Sequence, residues 1–137
     1  MTTEQFTKLK KLTEESVTID LNKLQTQLLE IPLLHDRYLT LFIRENKSLN
    51  FLQTQKQELY AKLYKHFKYD ANERWETKHE IESQMYTDKS YVSLLSRIDD
   101  QQEIVTYLEK TIDNIKNLSF TIKNYMDWQR FLNAEYK

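Results

Sequence analysis

The sequence predicts an all-α fold of long, coiled-coil-like helices that assemble into a homo-oligomer. Three observations carry this expectation. Glycine is absent from the 137 residues and proline occurs once, so tight hairpins that need positive φ are disfavoured. Leu, Lys, Gln and Glu, all good helix formers, dominate what remains. Apolar residues also recur at alternating steps of three and four over two long stretches, the spacing of a helix seam.

Taken in order, Leu21, Leu24, Leu28 and Ile31 make a first short helix, with Asp20 or Thr18 as its candidate cap. Pro32 lacks an N–H and disfavours helix at Ile31, so a kink or break is expected there. Tyr38, Phe42, Leu49, Leu52, Leu59 and Leu63 then form the middle seam, with Glu45 and Lys56 in the two skipped positions. A turn is read over residues 69–72, followed by ANERWETKHEIESQM, helical by propensity but thin in apolar anchors. Thr87-Asp88-Lys89-Ser90 is a second turn, where Asp88 or Ser90 can cap the last helix. That helix carries Tyr91, Leu94, Ile98, Val105, Leu108, Ile112, Ile115, Ile122 and Met126, with Gln101 and Ser119 filling the gaps.

The polar residues at seam positions have two readings. Lys56, Gln101 and Ser119 can fix register and oligomer number at some cost in stability. Lys56 can equally run its charge out to the helix edge. Two apolar stripes of this length exceed what one small monomer covers, which is the ground for expecting a homo-oligomer. The chain is otherwise read as a single all-helical domain over residues 1–137.

Composition also excludes several chemistries. Without cysteine there are no disulfides and no thiolate zinc sites. Without glycine there is no phosphate-cradling loop and no nucleophile elbow. His35, His66 and His79 lie far apart, and His79 with Glu82 offers two ligands at best, so no metal and no cofactor is expected. Catalysis is not expected either. No apolar run approaches the roughly 20 residues that span a bilayer. MTTEQFTKLKKL lacks the apolar core of a signal peptide, and the expectation is a soluble intracellular protein without a membrane partner.

One stretch concentrates charge and aromatic rings. QKQELYAKLYKHFKYD, residues 55–70, holds Lys56, Lys62, Lys65 and Lys68 among Tyr60, Tyr64, Phe67 and Tyr69. The chain as a whole has a net charge of −1, so attraction to a polyanion must come from such a patch. Leu59, Leu63 and Phe67 share one helix face, which leaves Lys62, Lys65, Lys68 and Tyr69 on the other. Lysines that neutralise phosphates beside rings that stack on any base suit single-stranded nucleic acid. Lys56, Lys62, Lys65, Lys68, Tyr64 and Tyr69 are the candidate binding residues. A plain solvated helix face, in a structural or adaptor coiled-coil oligomer that never touches nucleic acid, is the alternative.

The order of several segments adds a resemblance. LNKLQTQLLE with IPLLHDRYL, then LYAKLYKHF, ERWE, TDKSYV and SFTIKNYMDWQRF follow one another over residues 18–132. In that order they are similar to the UvsY-type recombination mediators of tailed phages. The resemblance implies all-helical subunits in closed homo-oligomeric rings, hexameric or heptameric. It implies binding of single-stranded DNA and help for a RecA-like recombinase to load in place of the single-strand-binding protein. The compartment implied is the cytoplasm of an infected bacterial host. A basic-x-basic pair in the family's central helix contributes to DNA binding. Here that place reads Tyr60-Ala61-Lys62, so only Lys62 carries over, with Lys65 and Lys68 further along the same helix to compensate. The family's glycine after the aromatics is missing from KYDANE. The C-terminal helix, about residues 90–133, is the implied oligomerisation element. Its candidate residues are Val105, Leu108, Ile112, Ile115, Phe120, Ile122, Met126 and Phe131.

Overall fold

The structure is a computed structural model, and it describes residues 1–70 and 75–135. Its elements are α1 (Thr3–Val17), α2 (Leu24–Lys65), a π-helical turn (His66–Asp70), α3 (Lys78–Met85) and α4 (Lys89–Glu135). No strand occurs among the described residues. The chain divides into two compact units. One comprises residues 1–44 and 106–137, the other residues 45–105.

In the first unit, α1 opens on a capping box. Thr2 Oγ1 accepts from the Gln5 N–H, and Gln5 Oε1 accepts from the Thr2 N–H. Phe6 is buried and meets the Tyr107 ring edge-on at 5.4 Å, with Lys10 Nζ 4.1 Å from the Phe6 centroid. Two turns on from Phe6, the buried Thr13 hydroxyl hydrogen-bonds the Tyr38 hydroxyl of α2. This helix was not expected from the sequence.

The start of α2 corrects the expected short first helix. Leu21 precedes α2 and is 61% exposed, while Leu24, Leu28 and Ile31 form the first turns of a continuous 42-residue helix. Asp20 Oδ1 accepts from the Asn22 N–H, bracing the preceding turn instead of capping a helix. Gln27 closes the same turn, donating to the Thr18 carbonyl at 2.7 Å and accepting from the Asp20 N–H at 2.9 Å. Pro32 lies inside α2 and does not break it. An interior proline forfeits one backbone hydrogen bond and costs about 3 kcal/mol. Here it sits on the exposed side, where the bereft carbonyl can turn to water, and buried Ile31 and Tyr38 flank it. Ile31 of α2 and Leu118 of α4 line a common cavity, so the two helices face each other in this unit.

In the second unit, Leu49 and Leu52 of α2 and Leu94, Ile104 and Val105 of α4 are buried. The skipped seam positions Glu45 and Gln101 are buried too, at 2% and 8% exposure, and they meet. Gln101 Nε2 donates to both the Glu45 carbonyl and Glu45 Oε2 at 2.8 Å. Lys56 is only half-buried, and Ser119 in the first unit spends its hydroxyl on the Lys116 carbonyl of its own helix. Of the polar residues at seam positions, Glu45 and Gln101 are the two that meet across α2 and α4.

The far end of this unit is closed by α3. Thr77 caps it by accepting from the Glu80 N–H, and Trp75 to Thr77 precede it as non-helical chain, so the helix is shorter than propensity indicates. Ile81 and Met85 are fully buried against Leu63 and Tyr91, with Leu59, Tyr60, Tyr64, Phe67, Trp75 and Leu95 packed around them. The expected turn at residues 69–72 is different in kind. Tyr69 and Asp70 end the π-helical turn, and Ala71 and Asn72 lie outside the described residues. The second turn ends sooner than expected, since Lys89 and Ser90 already belong to α4, but Asp88 caps that helix as expected, its Oδ1 accepting from the Tyr91 N–H.

Candidate nucleic-acid interface

Two adjacent helical rows build one groove. Residues four apart stack along a helix, so Tyr60, Tyr64 and Lys68 form one row and Ala61, Lys65 and Tyr69 the next. These six residues, with Lys78 of α3 opposite, line an open groove of about 470 Å³. The π-helical turn carries the rows past the end of α2, bringing Lys68 and Tyr69 to the groove's end. Such turns are frequent at functional sites.

The groove offers both components of single-strand recognition. Tyr60 and Tyr64 are stacked, with centroids 6.0 Å apart and planes at 29°. Tyr64 is half-buried, one part against the Ile81–Met85 cluster and another on the groove. Tyr69 is 60% exposed. Lys68 Nζ lies 5.8 Å from the Tyr64 centroid and 5.4 Å from that of Tyr69, within cation–π range of both. Lys65 is exposed at the rim.

The opposite wall is held by Tyr60. Its hydroxyl donates to Glu82 Oε1 at 2.7 Å, and Lys78 Nζ stands 3.9 Å from the same oxygen. That bond to a carboxylate pushes the Tyr60 pKa up to about 12, because ionising the phenol would set two anions in contact. His79 is exposed and Glu82 is engaged by Tyr60 and Lys78. Among the described residues no three His, Asp or Glu side chains cluster as a metal would need.

The six candidate binding residues therefore separate. Lys65, Lys68, Tyr64 and Tyr69 come together in the groove. Lys62 belongs to the next row, lining a different notch with Glu58, Leu59 and Arg97. Lys56 lines a third hollow beside Gln53, Gln57 and Tyr60. Lys62 thus lines a different hollow from Lys65 and Lys68, because a three-residue step rotates about 60° around a helix at each repeat. Sequence reasoning missed Tyr60 as a groove residue, though its spacing from Tyr64 signals it. It also missed Lys78, which arrives from another helix and leaves no local signal.

The candidate association residues separate as well. Val105, Leu108, Ile112, Ile115 and Ile122 are buried within the chain itself, at 0–8% exposure. Met126 is half-buried, whereas Phe120 and Phe131 are 66% and 55% exposed. Trp128 is exposed too and stacks on Phe131 at 5.7 Å.

These features define an all-helical protein built on two long helices, with a cationic, aromatic groove where α2 ends against α3. Among the described residues no helix is long and apolar enough to cross a membrane. The chain belongs to the UvsY family, whose model, described as recombination, repair and single-stranded-DNA-binding protein UvsY, matches residues 12–135. Crystal structures of the bacteriophage T4 recombination mediator protein UvsY share its fold. One aligns with a TM-score of 0.83 at 20% identity, covering 97% of this chain and 98% of that one. Another gives 0.82 at 20% identity over 96% and 98%. No curated protein sequence matches the chain directly.

Proposed function

We propose that this protein is a recombination mediator that binds single-stranded DNA through the groove between α2 and α3. In this reading Lys65, Lys68 and Lys78 hold phosphates while Tyr69 and the open part of Tyr64 stack on bases. The single observation that carries it is the convergence of three lysines and three tyrosines on one open groove. Phosphate neutralisation and base stacking are both indifferent to sequence, as a protein that must act on any strand requires.

The mediator role extends from the family: the protein helps a RecA-like recombinase displace the single-strand-binding protein in the cytoplasm of an infected bacterium. Self-association into a ring supports binding by avidity, since linked weak sites can exceed one site by factors on the order of a hundred. The exposed Phe120, Trp128 and Phe131 are the association surface in this reading, and the buried seam of α4 is its scaffold. The test is fluorescence titration of labelled single-stranded DNA at two salt concentrations, with duplex DNA as control. Salt-sensitive binding that prefers the single strand is expected. Equal binding to duplex, or none to either, contradicts the proposal.

A further inference from the structure

We propose that Arg97 of α4 and Lys62 of α2 form a second phosphate-binding site, separate from the tyrosine-lined groove. This rests on the reading of the chain as a single-stranded-DNA binder and extends it to a second point of contact. The two cations line one notch of about 390 Å³, whose floor is Leu59 and Leu94 and whose remaining walls include Gln55 and Ser90. Lys62 and Arg97 are both exposed, and among the described residues neither has an ion-pair partner.

That lack of pairing is informative because an acid is at hand. Glu58 lines the same notch and stands four residues before Lys62, the spacing at which helical ion pairs form. It pairs with neither cation. The notch keeps a net positive charge with its donors unspent. A guanidinium presents a planar fork that matches two phosphate oxygens, and the ammonium adds a point charge beside it. The Gln55 amide and the Ser90 hydroxyl supply neutral donors at the same place. No aromatic ring lines the notch, so it holds backbone and does not stack bases. The ligand class is therefore a phosphodiester of the strand whose bases stack in the groove. Lys62 and the Lys65–Lys68 pair then serve different stretches of one strand.

The test measures the salt dependence of single-strand binding for the full chain and for Arg97→Ala, Glu58→Gln and Lys65→Ala. Loss of one phosphate contact flattens the slope of log K against log salt by about 0.7 for single strands. Arg97→Ala is expected to flatten it by that amount, weakening binding most at low salt. Glu58→Gln, which removes the notch's only acid, is expected to tighten binding. Unchanged slope and affinity in both variants, alongside a flattened slope for Lys65→Ala, overturns the second site and leaves the groove standing. A response to Arg97→Ala and Glu58→Gln without one to Lys65→Ala supports the notch and overturns the groove. No response in any of the three overturns both.

Discussion

The Tyr60 hydroxyl of α2 donates a 2.7 Å hydrogen bond to Glu82 Oε1 of α3, and Lys78 Nζ stands 3.9 Å from that same oxygen. One phenol thus joins the helix that carries the aromatic rows to the helix that supplies the opposite wall. Tyr60→Phe keeps the ring and its stack on Tyr64 but releases Glu82. The expected outcome is weaker single-strand binding with α3 still folded, because Ile81 and Met85 remain buried. Titration of labelled DNA, with amide exchange reporting on α3, checks this.

The same bond has a pH signature. Tyr60 is raised to about 12 by the Glu82 carboxylate, and Tyr38 and Tyr91 are raised by burial. Each phenol keeps its proton in the folded chain beyond the pH, about 10, at which the unfolded chain loses it. The unfolded state then binds fewer protons, so this contribution is intact below about pH 10 and lost as pH rises towards 12. Ultraviolet titration should find a late-ionising class of tyrosines. Tyr60→Phe should remove one member of it.

Glu45 and Gln101 give a test of register. Replacing Gln101 with Leu leaves a buried carboxylate without this donor and should cost about 1–3 kcal/mol. Chemical denaturation measures the loss. A change within a few tenths of a kcal/mol would mean the pair contributes nothing to α2–α4 packing.

The buried seam and the exposed aromatics should respond differently to charge. Ile112→Glu with Ile115→Glu places two carboxylates in the chain's own core and should unfold the protein, because uncompensated burial of charge is costly. Even Ile115→Ala should cost about 2–5 kcal/mol. Phe120→Glu with Phe131→Glu should leave helicity intact while weakening self-association. Circular dichroism and light scattering on the same samples separate these outcomes.

Both long helices were legible in the sequence because apolar side chains at 3-4 spacing have one way to be covered, by another helix. The skipped positions were legible too, since polar Glu45 and Gln101 keep the seam spacing and find each other across it. Helix α1 escaped because one of its two buried positions is Thr13, a polar residue whose burial makes sense only once Tyr38 faces it. Pro32 does not end the helix because the local rule is outweighed by packing on both sides of it. The groove was half legible: Tyr64, Lys65, Lys68 and Tyr69 sit in one stretch, whereas Lys78 and Arg97 reach the α2 surface by tertiary contacts that no local pattern encodes.

In the proposed function the groove binds the strand through phosphates and bases together. This is tested most directly by the salt slope of single-strand affinity, measured for the full chain, for Lys65→Ala/Lys68→Ala and for Tyr69→Ala. Two lost phosphate contacts should flatten the slope by about 1.4, at roughly 0.7 per contact. Loss of the Tyr69 ring should instead cost about 1–3 kcal/mol with the slope unchanged. If both variants, folded and assembled as the full chain is, keep its affinity and its slope, the strand does not lie in this groove.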